Sequence, residues 1–277
     1  PAAAVAALNA PDSAKAEGNI GKVSLAFTPN EDALLYLTWS EGFRPGLLNR
    51  PGGAAGPDGY TVPFALRTDT VTNVELGWKL DLIDKTMRFN GSLFSVEIQD
   101  LQTTIFDPSI VNLFFSDNAA NAEILGLEGD VVWNFNDRLT VAGAFSALDT
   151  QITKVLTPTK DVVAGQDLAF APSFQANLRA RYQWSSKNGS ELHVMPYLTY
   201  SSSSSSDVIT INNAEVEAWG IIGATAGMAR NNWSAELFVD NILNKQAQLA
   251  SSFVYDRSRV SYARPMTIGL RLSLDLN

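Results

Sequence analysis

The feature that most constrains this chain is an alternation of apolar and polar residues sustained over segments of roughly ten residues, the length a tilted strand needs to cross a bilayer. Successive side chains of a strand point to opposite faces. Near the end of the chain Ile268, Leu270, Leu272, Leu274 and Leu276 fall on one face and Thr267, Gly269, Arg271, Ser273 and Asp275 on the other. Phe174, Ala176, Leu178, Ala180, Tyr182 and Trp184 oppose Gln175, Asn177, Arg179, Arg181 and Gln183 in the same way. Leu125, Leu127, Val131 and Trp133 oppose Glu128, Asp130 and Asn134. Such strands separate two very different environments.

About eleven strands are expected, near 20–28, 33–43, 69–81, 86–106, 121–135, 138–151, 172–184, 190–201, 218–230, 232–243 and 264–276. Their connections alternate in length. Tight turns at Pro29-Asn-Glu-Asp, Ile83-Asp-Lys, Asn134-Phe-Asn-Asp, Ser185-Ser-Lys-Asn-Gly and Asn231-Asn are separated by long loops near 44–68, 107–120, 152–171, 202–217 and 244–263. Short turns on one side and long loops on the other are the pattern of outer-membrane barrels, with the long loops extracellular and the C-terminus periplasmic. Trp133, Trp184 and Trp233 each sit beside a tight turn on the apolar parity of their strand, as an interfacial aromatic girdle requires. A soluble sandwich also alternates, so a soluble all-β binding module stays open as a further reading.

Composition removes other classes. The chain is 45% hydrophobic, yet mean hydropathy is −0.01 and no run of apolar residues is long enough for a transmembrane helix. Cys is absent, which excludes disulfide frameworks, thiolate metal sites and thiol nucleophiles. A net charge of −9 with no block of Lys or Arg argues against nucleic acid as a partner. Pro1-Ala-Ala-Ala-Val-Ala-Ala-Leu has neither an initiator Met nor a basic segment, so it does not read as a signal peptide and the natural beginning is expected upstream. With one His and no phosphate-binding loop or paired-His spacing, no enzyme is expected and no cofactor is called for. His193 falls on the polar parity of its strand and reads as a structural or solvated imidazole. The Ser201–Ser206 run reads as loop, and the Asn90, Asn188 and Asn232 glycosylation triplets are chance matches.

Several segments, taken in order, resemble the TonB-dependent receptors over nearly the whole chain from residue 20 onward. Tyr36-Leu-Thr-Trp-Ser-Glu-Gly-Phe-Arg-Pro-Gly is similar to a strand and loop start midway through that barrel, and Asn73-Val-Glu-Leu-Gly-Trp-Lys to the strand after it. Phe94-Ser-Val-Glu-Ile-Gln-Asp-Leu-Gln, Asn118-Ala-Ala-Asn-Ala-Glu-Ile-Leu-Gly-Leu-Glu-Gly, Phe238-Val-Asp-Asn-Ile-Leu-Asn-Lys and Arg264-Pro-Met-Thr-Ile-Gly-Leu-Arg-Leu continue the match. Gly126 and Gly129 suit close strand approach, and Asp240-Asn241 with Asn244-Lys245 suits a strand ending at a loop. Thr267, Gly269, Leu272 and Leu274 resemble the C-terminal signal for membrane assembly. The family closes with an aromatic residue, whereas this chain ends Asp275-Leu276-Asn277.

The resemblance implies an all-β fold, an antiparallel transmembrane β-barrel of about 22 strands around a plugged lumen, of which this chain would supply about half. Residues 1–277 would then be the C-terminal part of the barrel, with the plug and the TonB-contact segment elsewhere. Partners would be TonB acting through that missing plug, the remaining barrel, outer-membrane lipid and a small-molecule ligand such as a metal chelate. The activity implied is TonB-energised import of a scarce nutrient, a ferric siderophore foremost, across the bacterial outer membrane. A passive diffusion barrel is the alternative. Candidate ligand contacts are Arg44, Asn49, Arg50, Phe114, Phe115, Tyr255, Arg257 and Arg259, because Arg and aromatic residues suit an anionic, partly aromatic ligand.

Overall fold

The computed structural model describes residues 11, 13–49, 52–112, 114–254 and 257–275. In chain order the strands are β1 (Lys22–Asn30), β2 (Ala33–Arg44), β3 (Asp69–Leu82), β4 (Met87–Ile105), β5 (Phe115–Asn134), β6 (Leu139–Val155), β7 (Phe174–Ser185) and β8 (Glu191–Ser201). They continue with β9 (Ser204–Ser205), β10 (Glu215–Val216), β11 (Trp219–Arg230), β12 (Trp233–Asp240), β13 (Gln248–Val254), β14 (Arg257–Tyr262) and β15 (Thr267–Leu274). Eleven of them form one antiparallel sheet in the order β1-β2-β3-β4-β5-β6-β7-β8-β11-β12-β15, while β9–β10 and β13–β14 are two-stranded ribbons inside long connections. Each of the eleven expected strands is present. Among the described residues no helix is long and apolar enough to cross a membrane, which says nothing of strands.

Register turns the alternation of single strands into two faces of the whole sheet. Leu37, Leu76, Leu93 and Leu127 stand opposite one another on four successive strands, and all are between 38% and 50% exposed. The stripe continues as Leu178, Leu198 and Ile222, then as Leu237 and Leu270. A contiguous apolar surface of this extent marks a face that meets another apolar phase or a partner. On the reverse face the partners read Tyr36, Gly77, Ser92, Glu128, Ser146, Gln175 and Ser201. That face is polar from strand to strand.

The tryptophans follow the apolar face to the turn end. Trp133 lies opposite Met87 and Val141, Trp184 opposite Leu192, and Trp233 opposite Leu274. Trp133 packs edge-on against Phe135 at 5.0 Å and Trp184 packs on Tyr182 at 5.6 Å. The turns themselves use residues that reach the left-handed region, Asn231 in one and Ile83, Asp84 and Lys85 in another. Ile83 is β-branched and carries the largest strain there; Thr86 returns its amide and hydroxyl to the Ile83 carbonyl at 3.0 and 2.7 Å.

Close strand approach on the polar face follows one rule. Phe94 stands opposite Gly126, Tyr197 opposite Gly223, His193 opposite Gly227 and Phe238 opposite Gly269. In each pair the ring covers the bare glycine backbone, where a methyl group would overlap it. The His193 ring crosses Gly227 to place Nε2 3.2 Å from a Glu236 carboxylate oxygen on the next strand, and Glu236 in turn pairs with Arg271 on β15. His193 is therefore a half-buried strand tie, consistent with its polar parity.

Two expectations shift. The loop foreseen at 107–120 contracts to 106–114, because β5 starts at Phe115 and its first residues pair with β4 beyond two shifts of register, at Ile98/Leu101 and at Leu101/Gln102. Pairing then resumes from Leu101↔Ala120 up to Ile105↔Phe115. Alternation is lost across a bulge, so the sequence pattern ends before the strand does. The loops at 202–217 and 244–263 contain the ribbons β9–β10 and β13–β14, too short or too irregular in sequence to show a period.

Candidate functional site

Among the described residues the buried apolar cluster gathers at the long-loop end of the sheet. Val62 from the β2–β3 loop, Ile110 from the β4–β5 connection, Val162 from the β6–β7 loop, and Val208 and Ile209 from the β8–β11 segment meet Ile105, Phe115 and Ile152 from the strand ends. Phe115 is 1% exposed and Val62 and Ile105 fully enclosed. Burying these side chains holds four connections together as one cap. It also caps a strand edge, since β6 outruns β7 and its free backbone pairs with the loop instead, Ile152 N–H donating to Gln166 O at 2.8 Å.

Polar clamps fasten the cap to the sheet. Asp69, 2% exposed at the start of β3, accepts Nε of Arg44 at 2.9 Å and the backbone amides of Arg44 at 3.1 Å and Gln102 at 3.3 Å. Arg44 also donates to the Gln102 carbonyl at 3.0 Å, and the Gln102 amide returns to the carbonyls of Arg44 and Pro45, both at 3.2 Å. A buried carboxylate is tolerable when so many donors converge on it. Asn49 is buried and bonds both ways with the Ser116 backbone. Asn118 joins Arg67 and Asp100, accepting the Arg67 amide at 2.8 Å and donating to the Arg67 and Asp100 carbonyls at 2.9 and 2.7 Å.

Carboxylates in the cap titrate unequally. Burial alone would raise Asp107, but hydrogen bonds from the Ser109 hydroxyl at 2.6 Å, the Thr159 hydroxyl at 2.7 Å and the Ser109 amide at 2.9 Å outweigh it and hold the carboxyl below its ordinary value. Asp161 is pushed up by burial and by the charge of Asp107. Burial also raises Asp207, against the opposing amides of Ile209 and Val208. Burial, then the hydrogen bond and charge of Asp117, lifts the Tyr60 phenol well above its usual range; the hydroxyl donates to Asp117 Oδ2 at 2.6 Å.

The sequence candidates separate on this frame. Arg44 and Asn49 are engaged in the clamps just described, and Phe115 is enclosed in the cap core. Phe114 is 43% exposed with its ring 4.9 Å from Phe106. Arg257 and Arg259 are exposed on β14. Arg50 and Tyr255 lie outside the described residues. Thr267, Gly269, Leu272 and Leu274 all fall in β15, with Gly269 beneath Phe238 and Leu272 and Leu274 on the apolar face. Asp69, Gln102 and Asn118 were not foreseen. Their partners lie far along the chain, and only the register of β2, β3, β4 and β5 brings them together.

Charge is divided across the loop end. In the sequence the loops between β2 and β11 carry Asp58, Asp107, Asp161, Asp167, Asp207, Glu215 and Glu217 against Arg50, Arg67 and Lys160, whereas the segment between β12 and β15 carries Lys245, Arg257, Arg259 and Arg264 against Asp256. That last segment is pinned at its base. The Asn241 side chain, 2% exposed, accepts the Lys245 amide at 2.9 Å and donates to the Lys245 carbonyl at 2.9 Å and the Arg264 carbonyl at 2.8 Å. Asn244 Oδ1 accepts the Met266 amide at 2.9 Å. No group of three or more His, Cys, Asp or Glu side chains among the described residues is placed to hold a metal ion.

Known proteins agree with this geometry. The family model described as "TonB dependent receptor-like, beta-barrel" matches residues 7–242. The fold is similar to that of the ferric yersiniabactin uptake receptor FyuA from Yersinia pestis, with a TM-score of 0.74 at 15% identity over 93% of this chain and 37% of that one. It is also similar to the siderophore receptor PiuA from Acinetobacter baumannii, at 0.70 and 18% over 91% and 35%. BauA, the ferric preacinetobactin receptor of the same organism, gives 0.68 and 19% over 92% and 36%. The chain thus spans little more than a third of the length of these receptors. Comparison with curated protein sequences yields no match. On the family match over most of its length, the chain belongs to the TonB-dependent receptor-like β-barrel family.

Proposed function

We propose that this chain is the C-terminal part of the barrel of a bacterial outer-membrane receptor that binds a ferric siderophore and imports it with energy supplied through TonB. The observation that carries the reading is the two-faced sheet with all its long connections at one end. The apolar face suits lipid, the polar face suits the lumen of a barrel of about 22 strands, and the loop end suits ligand capture from outside the cell. Half a barrel leaves two unpaired strand edges, each unsatisfied group costing several kcal/mol in lipid, so the working unit includes the remaining strands and a plug through which TonB acts.

Siderophore receptors recur among the similar structures, and the exposed Arg257, Arg259 and Phe114 offer charge-assisted hydrogen bonds and ring contacts to a ferric chelate. In this reading Arg44, Asn49 and Phe115 set the positions of the loops, and Arg50 and Tyr255 are retained as ligand contacts on residue type alone. The role is transport, with no catalytic group.

The test is iron uptake by the full-length receptor, expressed in a bacterium stripped of its own siderophore receptors and offered a panel of ferric chelates under iron restriction. Uptake that needs both the receptor and TonB supports the proposal. Uptake of unrelated small solutes that is indifferent to TonB would point instead to a passive barrel.

A further inference from the structure

The apolar face of the sheet carries opposite charge at its two edges. Near the long-loop end Glu41, Glu97 and Glu123 share one row of that face through Thr72, and Asp149 lies opposite Leu125 beside them. Lys154, opposite Asn121, is the cation among them. At the turn end Lys85 is taken by Glu31 and Asp32, at 3.3 and 3.1 Å, and Arg138 follows Asp137 in the β5–β6 turn. The turns after β7 and β11 differ, because Lys187 and Arg230 stand there with no carboxylate in either turn.

Register brings these two cations to one stretch of the aromatic girdle. Arg230 pairs with Trp233 across the β11–β12 turn, so both stand on the apolar face. On the neighbouring strand Glu191 lies opposite Ala229. Extending that register by one residue sets Arg230 beside Ser190, which closes the β7–β8 turn by accepting the Ser186 amide at 2.8 Å. Lys187 stands in that turn, three residues from Trp184. Both cations are exposed, and neither has an ion-pair partner among the described residues. The carboxylates nearest in register fall on the other face: Glu191 accepts the Ser185 hydroxyl at 2.7 Å on the polar side, and Asp275 continues the polar parity of β15.

Tryptophan sets the depth of this patch, because its ring settles between hydrocarbon and headgroups. Lys and Arg lay their stems along apolar surface and carry the charge out to headgroup level. A phosphodiester at that level meets two cations and no competing carboxylate. We propose that Lys187 and Arg230, beside Trp184 and Trp233, form a binding site for an anionic phospholipid headgroup in the leaflet at the turn end. The proposal rests on the reading of the apolar face as lipid-facing and adds a headgroup class to it. The carboxylate row at the other edge offers such a lipid no equivalent seat in the opposite leaflet.

The experiment uses the full-length receptor, stripped of lipid in a neutral detergent and titrated with phosphatidylglycerol or with zwitterionic phosphatidylethanolamine, and reads bound lipid by native mass spectrometry. One basic residue near an anionic lipid surface is worth about fivefold in affinity. K187Q/R230Q should therefore lose phosphatidylglycerol affinity by at least about tenfold, with K187Q and R230Q each losing about fivefold, while phosphatidylethanolamine binding is unchanged. K187R/R230K should retain the native preference, and E97Q/E123Q, at the other edge of the face, should match the parent. Unaltered heat-modifiable migration of each variant confirms that the barrel folds.

Equal phosphatidylglycerol binding by the native receptor and K187Q/R230Q overturns the site, as does equal affinity of the native receptor for the two lipids. Displacement of phosphatidylglycerol by inorganic phosphate at equal concentration would show a general phosphate site and also overturns it. TonB-dependent chelate uptake by a receptor without that lipid preference overturns it while leaving the transport reading intact. A full-length receptor that stays dissolved without detergent would end both proposals.

Discussion

The hydroxyl of Tyr197 on β8 passes over Gly223 on β11 to donate a hydrogen bond to the carboxylate of Asp240 on β12, so one side chain ties three strands. The same logic joins His193, Gly227 and Glu236 nearer the turn end. These ties stand on the polar face, where no lipid or apolar core would otherwise hold side chains in place.

Substituting Gly223 by Ala should therefore destabilise the assembled barrel by about 1–3 kcal/mol, the usual cost of forcing a methyl group into a filled space. Gly220 on the same strand meets nothing nearer than 3.8 Å, and G220A should stay within about 0.5 kcal/mol of the parent. Denaturant midpoints of the full-length receptor, read by heat-modifiable migration, compare the two; equal midpoints would mean the Tyr197 ring does not rest on Gly223.

Asn241 should act as the pin of the β13–β14 ribbon. N241A leaves the Lys245 amide and the Lys245 and Arg264 carbonyls without their partner, at about 1–3 kcal/mol for unsatisfied buried groups. Hydrogen exchange at Lys245 and Ala263 should quicken by about tenfold or more, with β12 unchanged. Unaltered protection at the ribbon base would reject the pin.

The two faces should differ sharply in tolerance of charge. L178R, on the apolar face, should cost about 2–4 kcal/mol if Leu178 lies near mid-bilayer, whereas Q175R on the polar face should be accepted. Comparing the yield of folded receptor in the membrane for the two variants tests this, and equal yields would reject the assigned faces.

Acidification should act on the loop cap in two stages. Asp161 and Asp207 titrate above their ordinary value in the folded cap, so the folded state binds protons first and the cap gains stability as pH falls from neutral towards the ordinary carboxylate range. Asp107 titrates below it, so its contribution is full above the ordinary carboxylate range and is lost as pH falls through its lowered folded value. Loop protection measured by hydrogen exchange should thus peak on the mildly acidic side. D107N should weaken the cap at neutral pH and blunt the fall at lower pH, whereas a parallel profile in D107N would assign the acid loss elsewhere.

The eleven long strands were legible in the sequence because each separates two environments and so repeats with period two. Alternation of the kind that runs from Ile268 to Leu274 is absent from the ribbons: Ser204–Ser205 and Glu215–Val216 are too short to carry a period, and in β13 the serines stand side by side at Ser251 and Ser252 instead of alternating with apolar residues. The cap core was illegible for another reason. Val62, Ile110, Val162 and Val208 lie in four separate loops, and nothing local marks them as neighbours. Arg44 could be singled out by type and position, but that Asp69 and Gln102 engage it follows from register, which a single sequence does not state.

The most direct test of the central claim, that this sheet is a wall between lipid and an aqueous lumen, is a spin-label scan along β7 in the full-length receptor reconstituted in a bilayer. Labels placed singly from 174 to 184 would be read for collision with oxygen, which concentrates in lipid, and with a water-soluble nickel chelate. The expected result is two period-two profiles in opposite phase, oxygen highest at positions 174, 176, 178, 180 and 182 and nickel highest at 175, 177, 179, 181 and 183. Nickel access at every position, or profiles without that period, would contradict it.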